Sequence, residues 1–325
     1  MSVKSEILNI LETNKGKSIS GQELADMLSV SRTAVWKSIN MLKQEGYIID
    51  SASNKGYSLS SDSDVLSEEA MRLYLRNDYK SIPIYVYKTL PSTNTRAKEE
   101  AINNGVHGTV IASEEQTGGR GRFGRDFFSP AGTGIYMSII LKPKLEISDS
   151  VLITTAAAVA VCRALEKFSD KKAQIKWVND IFMDGKKVCG ILTEAVTDFE
   201  SGTVESIIAG IGINVKTREE DFPHELKAKA ASVFSGEEGF ALRNRLAAEI
   251  INNILSCCEN LDKKEFLSEY KDRSLILGKQ ITYTKNNHLH EAQAKDIDSS
   301  GGLVIETSDG RTETLHSGEV SIKSY

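Results

Sequence analysis

Eight residues near the middle of the chain, 118–125, combine four glycines and three arginines in the run GGRGRFGR, here called the Gly/Arg run. Glycine lets the backbone approach a ligand closely. Arginine offers a permanently charged, planar fork of donors that suits carboxylate and phosphate groups. The run therefore predicts a loop that grips an anion and orders around it. Taken alone, it also fits a basic linker without fixed structure or an RGG-like segment that binds nucleic acid.

Other polar groups and glycines occur next to predicted strands. The PSTN run (residues 91–94) separates a strand from a helix, where hydroxyls and backbone N–H groups point outward, although it could simply cap that helix. Gln116 precedes the Gly/Arg run and offers a neutral amide. Lys187 begins a strand and supplies a compact charge for a carboxylate or phosphate. The glycines of GIGIN (210–214) lie inside a strand, which indicates close approach by a ligand or another backbone.

These residues are positioned by the middle of the chain, about residues 67–272. We predict strands at 82–88, 109–114, 134–141, 173–178, 187–195 and 206–215, and helices at 67–76, 93–103, 153–168 and within 240–271. The KWVND run (176–180) is expected to end one of the strands. Because strands outnumber short hairpin turns, we predict an α+β fold with a mixed, mainly antiparallel sheet.

The first 62 residues carry a different pattern. Ser20 and Glu23 form a capping box, and Ser31 begins a third helix that Gly46 ends. Alternating segments at 47–50 and 56–59 then flank a turn at 53–55. Three helices and a hairpin predict a winged helix-turn-helix domain that binds DNA, with protein contact as the alternative use. The expected DNA-facing residues are Arg32, Thr33, Trp36, Lys37 and Asn40 on the third helix and Lys55 on the wing.

Residues 61–66 read as a linker, and residues 273–325 as a separate strand-rich segment. Strands are predicted there at 280–284, 290–297, 303–307 and 311–315, which suggests a small SH3-like β-barrel. His288, His290 and His316 invite a metal interpretation. No cysteine or carboxylate stands at ligand spacing beside them, so we expect exposed loop histidines instead.

The amino-acid composition limits the binding partners and the compartment that we expect for this protein. The net charge of −5 excludes a general pull towards nucleic acid, so any DNA contact must be local. Residues 1–60 hold seven Lys/Arg against six Asp/Glu. The four cysteines include no CxxC pair, which predicts buried, reduced thiols. With no signal peptide and no apolar run long enough for a membrane span, we expect a cytoplasmic protein that does not enter the membrane.

Together and in this order, PSTN, EEQTGGRGRFGR, KWVND, KVCGIL and GIGIN resemble the motifs of biotin–protein ligases. With the winged helix, the chain is similar to the bacterial bifunctional biotin ligases and biotin-operon repressors over essentially its whole length. Val178 stands where many members have proline, and Phe123 where some have arginine. The resemblance implies a DNA-binding domain at 1–62, a catalytic domain of the biotin/lipoate ligase type at 67–272, and an SH3-like domain at 273–325.

The resemblance also implies ligands and roles. The ligands are biotin, ATP and Mg²⁺, with Asp180 as a metal ligand or orienting carboxylate. Lys187 would meet the biotin carboxylate and the phosphate. The residues implied to bind biotin and the adenylate are Ser92, Thr93, Asn94, Gln116, Arg120, Gly121, Arg122, Trp177, Lys187 and Asn214, and those implied in catalysis are Lys187, Arg120, Arg122 and Arg125.

The implied reaction joins biotin to AMP, releases diphosphate, and passes biotin to a lysine of carrier domains of the acetyl-CoA carboxylase or pyruvate carboxylase type. The implied regulation is repression of biotin genes at an operator, by a homodimer that forms with biotinyl-adenylate. Two alternatives stay open. A lipoate or octanoate ligase shares the chemistry, and the intact Gly/Arg run argues against it. A sensing repressor without catalysis would need less fixed charge than Arg120, Arg122 and Lys187 supply.

Overall fold

The protein is described by a computed structural model that covers residues 2–52, 56–103, 105–142, 150–197, 203–234, 241–285 and 288–323. Lys55 and the rest of the predicted turn at 53–55 lie outside the described residues. In the described part of the chain, three bodies of secondary structure follow one another. They are a small helical region, a large mixed sheet covered by helices, and a small antiparallel sheet.

The N-terminal region contains the three predicted helices and a two-stranded antiparallel sheet. Their bounds are α1 (Val3–Thr13), α2 (Gly21–Leu28), α3 (Arg32–Gln44), β1 (Ile49–Ala52) and β2 (Gly56–Leu59). The predicted caps are present, because the Ser20 hydroxyl accepts from Glu23 N at 3.0 Å and the Ser31 hydroxyl from Ala34 N at 3.2 Å. The apolar faces of the helices meet in a core of their own.

The central sheet has seven strands in the order β3-β4-β5-β9-β8-β7-β6. β3 and β4 run parallel, and every other neighbouring pair is antiparallel, so the predicted α+β architecture is confirmed. The strands are β3 (Ile84–Tyr87), β4 (Val110–Ser113), β5 (Gly134–Leu141), β6 (Gln174–Lys176), β7 (Asp180–Met183), β8 (Lys186–Thr197) and β9 (Val204–Asn214).

Helices cover this sheet, and the alanine- and valine-rich α6 lies almost wholly inside the core. The helices are α4 (Glu68–Tyr74), α5 (Thr93–Ile102), α6 (Ser150–Phe168), α7 (His224–Lys227), α8 (Arg243–Glu259) and α9 (Phe266–Asp272). α4 ends two residues before the predicted Arg76. The reason is a side-chain cap, since Asn252 donates to Tyr74 O at 3.1 Å and accepts from Arg76 N at 2.9 Å.

The strand predicted at 173–178 is shorter than expected, and the strand that follows it was not predicted. β6 ends at Lys176, and Asp180 begins the next strand, where it pairs with Gly190. The intervening turn is held by Asn179, whose amide donates to Ile191 O at 2.8 Å. This side chain bonds to a strand twelve residues away, a contact that local sequence spacing does not reveal.

The C-terminal segment forms an antiparallel sheet in the order β13-β12-β11-β10-β14. Its strands are β10 (Gln280–Lys285), β11 (His288–Ile297), β12 (Leu303–Thr307), β13 (Thr312–Leu315) and β14 (Val320–Ile322), the last of which was not predicted. Its apolar residues, including Ile281 and Ile305, belong to the same buried cluster as the central sheet. The small sheet therefore shares a core with the central region.

Candidate functional site

Three glycines form a bare strip across the two longest strands of the sheet. Gly190 on β8 pairs with Gly212 on β9, and Gly210 lies on the same strand, two residues before Gly212. A Cβ at Gly212 would lie 2.5 Å from the ring of Phe127, and one at Gly210 would lie 2.0 Å from Asn94 Oδ1. The sequence predicted approach by a ligand or a backbone. The structure instead places two side chains on the strip, so its glycines are needed for packing even before a ligand is considered.

A buried polar pocket lies at one end of this strip. Ser92 caps α5 and accepts from Thr95 N at 3.5 Å. Gln116 Oε1 accepts from Thr93 N at 2.8 Å and lies 3.1 Å from the Thr93 hydroxyl, while its amide donates to Ser129 at 3.0 Å. The structure thus brings the PSTN run and Gln116 together, as the sequence predicted, and adds Ser129.

Ser138 of β5 completes the pocket and was missed by the sequence reasoning. It is fully buried, and its hydroxyl lies 2.6 Å from Asn94 Oδ1 and 2.8 Å from Thr93 Oγ1. The available signal was a lone serine in the otherwise apolar strand GIYMSIIL. A buried hydroxyl needs hydrogen-bonding partners, so such a residue indicates a polar neighbour across the sheet face.

The Gly/Arg run folds into a tight hairpin over the sheet. Phe127 N donates to Gly119 O at 2.9 Å, and Gly121 N donates to Arg125 O at 2.7 Å. Phe123 at its tip has a φ of 57° and is 66% exposed. Contacts within the protein therefore help to order this loop, in addition to any anion.

Arg122 reaches from the hairpin to two neutral oxygens. It donates to Asn179 Oδ1 at 3.0 Å and to Gly318 O, in the C-terminal sheet region, at 2.9 Å. Burial lowers the pKa of Arg122 from its usual value, and the charges of Asp180 and Glu319 offset this effect only in part. This guanidinium is partly dehydrated and bonded to uncharged acceptors, so it is well suited to receive an anion.

The other predicted cations are partnered differently. Arg125 forms a two-pronged ion pair with Glu319, at 2.7 and 2.5 Å. Lys187 Nζ lies 2.7 Å from Asp180 Oδ1, which brings together the lysine and the carboxylate that the sequence singled out. Arg120 is exposed on the hairpin. The charge available to a ligand is therefore smaller than a count of basic residues indicates.

Asn214 and Trp177, both expected near the adenylate, have different surroundings. Asn214 ends β9, and its amide donates to Ala231 O at 3.3 Å, next to the segment that runs beside Lys187. Trp177 is 3% exposed, and its indole N–H donates to Gly301 O at 3.0 Å. The only polar atom of the tryptophan side chain is thus used to hold the C-terminal sheet against the central one.

Two cavities open beside these groups. One has a volume of about 250 Å³ and is bordered by Arg122, Asn179, Thr193 and His316. The other, about 660 Å³, lies along residues 216–234 beyond Asn214, and Lys186, Lys216 and Arg218 contribute to its walls. The smaller cavity thus borders Arg122, whereas the wall of the larger one combines cations with the carboxylates of Glu219, Glu220 and Asp221.

The predicted DNA-facing side of α3 is directed outward. Trp36 is 56% exposed, whereas Val35 and Ile39 on the opposite face are 1% exposed. The exposed or partly exposed residues on this side are Arg32, Thr33, Trp36, Lys37 and Asn40. The helix therefore leaves its polar face available to a partner, and Lys55 lies outside the described residues.

Within the described ranges, no group of three or more His, Cys, Asp or Glu side chains is arranged to hold a metal. His288 and His290 are exposed, as expected, but they belong to β11 rather than to a loop. The cysteines are free thiols. In the same ranges, no helix has the length and apolar character that crossing a membrane requires.

Comparison with known proteins assigns each part of the chain. Residues 86–214 match the biotin/lipoate A/B protein ligase family, residues 3–58 match an HTH domain, and residues 276–323 match a biotin protein ligase C-terminal domain. The bifunctional ligase/repressor BirA of Bacillus subtilis is 34% identical, with 98% of each chain covered. The protein of the same name from Escherichia coli is 27% identical, covering 95% of this chain and 94% of the other.

Solved structures agree with these matches. The biotin protein ligase from Aquifex aeolicus in complex with biotin and ATP superimposes with a TM-score of 0.63 and 27% identity, covering 75% of this chain and 99% of that one. The fold, the three matched regions and the near-complete alignment with the ligase/repressors point to one assignment. The chain belongs to the biotin–protein ligase family, and within it to the bifunctional ligase/repressors.

Proposed function

We propose that this protein activates biotin as biotinyl-5′-AMP, using ATP, and transfers the biotin to a lysine of the carrier domains of biotin-dependent carboxylases. The observation that carries the proposal is the Gly/Arg hairpin closing over a glycine strip that ends in a buried polar pocket on one side and Lys187 on the other. Family membership and the Aquifex complex with biotin and ATP support the same ligands.

In this proposal the biotin head occupies the polar pocket, where Ser92, Thr93, Asn94 and Gln116 provide donors and acceptors. The backbone around Arg120 and Gly121 folds over it. The valeryl chain of biotin then runs beside the Phe127 ring towards Lys187. Asn214 lies beside the nucleotide, and Trp177 acts behind the site through its bond to Gly301.

The proposed reaction requires stabilisation of the negative charge on biotin and ATP, and it involves no covalent bond between the protein and the substrate. A carboxylate oxygen of biotin attacks the α-phosphorus of ATP, and the bond to diphosphate breaks. Arg122 and Lys187 stabilise the charge that develops between the two anions. The phenyl ring of Phe127 over the glycines helps to exclude water from the mixed anhydride. The acceptor lysine, once neutral, attacks the acyl carbon, AMP leaves, and the lysine proton passes to a base or to solvent.

We also propose that Mg²⁺ takes part, with Asp180 as a protein ligand. The carboxylate lies 2.7 Å from Lys187, in the region assigned to phosphate. One carboxylate fits this ion, because Mg²⁺ commonly takes one or two protein ligands and completes its shell with phosphates and water. When bound, it would supply charge neutralisation on the phosphates.

The second part of the proposed function is repression of biotin genes, with biotinyl-adenylate as corepressor. The outward face of α3 and Lys55 would contact operator DNA, and a homodimer carrying the adenylate would present two such helices to a pseudo-palindromic site. We further propose the division into domains at 1–62, 67–272 and 273–325, with the C-terminal sheet closing as an SH3-like barrel, in a cytoplasmic protein.

A labelling assay tests the enzymatic proposal. The protein is incubated with ATP, Mg²⁺, an acceptor domain, and either biotin or lipoate. We expect covalent label from biotin only. Label from lipoate but not biotin would make the protein a lipoate ligase. No label combined with biotin-dependent DNA binding would leave only the repressor.

Two arginines of one hairpin offer a matched test of the charge assignment. Arg122 bonds only neutral oxygens, whereas Arg125 is paired with Glu319. We therefore expect Arg122→Ala to lower adenylate formation by about 100-fold, and Arg125→Ala to have a smaller effect. Equal losses, measured as single-turnover adenylate formation and retention, would contradict the assignment.

Repression is tested by selecting DNA from a random pool with and without biotin plus ATP, and then measuring binding to the selected site. We expect tighter binding with both ligands, and weaker binding by Lys37→Ala with a shallower salt dependence. Affinity that does not respond to the ligands would contradict the corepressor role.

A further inference from the structure

A chain of hydrogen bonds leads away from the biotin-head pocket to an ion pair at the outer part of the sheet. Glu194 on β8 has both oxygens occupied. One lies 2.5 Å from Lys98 Nζ on α5, and the other accepts from Asn94 Nδ2 at 2.7 Å. The oxygen of the same side-chain amide, Asn94 Oδ1, lies 2.6 Å from the Ser138 hydroxyl. Because Asn94 is 6% exposed and Ser138 is fully buried, protein groups must satisfy these atoms.

The direction of each bond follows from the proton inventory. An ionised carboxylate only accepts, so Asn94 must turn its NH₂ group to Glu194, where the same nitrogen also donates to Leu192 O at 3.1 Å. The amide oxygen then faces Ser138 and can only accept. The single hydroxyl proton of Ser138 is therefore committed to Asn94.

Because the Ser138 proton is used in the bond to Asn94, the hydrogen bonds that Thr93 can make in the pocket are also fixed. Its hydroxyl lies 2.8 Å from Ser138 Oγ and 3.1 Å from Gln116 Oε1, and Thr93 has one proton for both contacts. Ser138 can no longer donate, so the shorter contact uses the Thr93 proton. Two acceptors, Thr93 Oγ1 and Gln116 Oε1, are then left facing each other without a proton between them. The pocket is one donor short, and a ligand N–H group would supply it.

We propose that Glu194 is a positioning residue that, together with Leu192 O, sets the direction of this hydrogen-bond chain and so makes Thr93 an acceptor for an N–H group of the ligand. The inference rests on the proposed function, in which that group belongs to the ureido ring of biotin. Glu194 acts only through Asn94, Ser138 and Thr93.

The isosteric change Glu194→Gln reverses the chain. Lys98 demands an acceptor, so the new amide turns its oxygen to Lys98 and its NH₂ to Asn94. Asn94 must then present its oxygen outward and its NH₂ to Ser138. Ser138 donates to Thr93, and Thr93 donates to Gln116 Oε1. Within the pocket every contact now has a protein proton, and the ligand N–H meets a donor, while Leu192 O loses the Asn94 donor that it has in the wild type.

Removing Lys98 as well frees the new amide to turn back. In the double variant Lys98→Met/Glu194→Gln, the oxygen of the introduced amide can again accept from Asn94, which restores the original direction. A second substitution is thus expected to repair the first, although it removes a further charge. Simple loss of packing or of an ion pair would not behave in this way.

The experiment measures biotin binding by calorimetry, together with KM for biotin, KM for ATP and kcat. Glu205→Gln on the neighbouring strand, at an exposed position, is the matched control. We expect Glu194→Gln to weaken biotin binding by about 10- to 100-fold, as for an unpaired buried polar group. Its kcat at saturating biotin and its KM for ATP should match the control. The double variant should return to within about threefold of the wild type.

Two results would overturn this inference and leave the proposed function intact. They are a Glu194→Gln affinity equal to that of the control, or a double variant no better than the single one. A wild-type protein that does not bind biotin would overturn the proposed function, and this inference with it.

Discussion

Arg243 at the start of α8 should be the most stability-sensitive charge in the described chain. It is 2% exposed, and its guanidinium bonds Asp64 Oδ2 at 2.9 Å, Glu114 Oε2 at 2.7 Å and Gly134 O at 3.1 Å. Burial disfavours its charge, but Glu114 and Asp64 together raise the pKa of Arg243 above its usual value. The arginine therefore ties the segment that follows the helix-turn-helix region to the central sheet.

The perturbation is Arg243→Met, which keeps the length of the side chain and removes its charge. Breaking a buried ion pair by deleting one partner costs roughly 3–5 kcal/mol, because the other charge stays buried. Here two carboxylates lose their arginine. Asp64 keeps Lys216 at 2.6 Å, and Glu114 keeps Leu66 N at 2.6 Å. These remaining contacts place the expected loss near the lower limit, at about 3 kcal/mol.

The assay is thermal and urea unfolding of the full chain at neutral pH. A loss of about 3 kcal/mol corresponds to a fall in Tm of the order of 10 °C for a domain of this size. The double variant Glu114→Gln/Arg243→Met removes one of the abandoned charges and should recover about 1–2 kcal/mol. A single variant within 2 °C or so of the wild type, or a double variant no more stable than the single, would refute the reasoning.

Two further predictions concern the glycine strip and the pH dependence of stability. Gly212→Ala places a Cβ 2.5 Å from the ring of Phe127 and should displace the hairpin, raising the KM for biotin and ATP at least tenfold. Gly185→Ala, in a turn with no atom within 4 Å of the added Cβ, should lower stability because its φ is +77°, but it should leave both KM values unchanged; steady-state kinetics compares the two variants. The hydrogen bond from Arg273 lowers the pKa of Glu166 from its ordinary value of 4.5. Its stabilisation is therefore present above about pH 4.5 and lost as the pH falls through the lowered pKa. The urea midpoint of Glu166→Gln should differ from the wild type most at neutral pH and converge in acid, and a constant difference would contradict this.

Local patterns in the sequence were sufficient for much of the fold. The serine caps of α2 and α3 and the bounds of β5 were predicted because each depends on neighbours within a few residues. The break between Lys176 and Asp180 was not, since a side chain from the turn bonds to a distant strand. The bounds of elements held by long-range side-chain contacts cannot be read from local periodicity.

The candidate site divides in the same way. Thr93 and Gln116 were found from motifs, and they do meet in one pocket. Ser138 and Glu194 were not, because each joins the pocket through a hydrogen bond with Asn94 on α5, which is 44 residues from Ser138 and 100 residues from Glu194 in the sequence. Phe127 lies two residues after the Gly/Arg run, and its ring packs against glycines of β8 and β9 that are distant in the sequence.

The partners of the basic residues also change the electrostatic argument. The sequence supplies the three arginines of the Gly/Arg run and Lys187 as cations, but Asp180 and Glu319 pair with two of the four and leave a net charge of +2. Biotin and ATP together bring about five negative charges, so fixed protein charge cannot neutralise them. Orientation by Arg122 and Lys187, combined with a divalent cation on the phosphates, satisfies this balance. The ion pairs of Arg125 with Glu319 and of Lys187 with Asp180 also favour anion binding. They hold Arg125 and Lys187 in place, so that less side-chain entropy is lost when the anions bind.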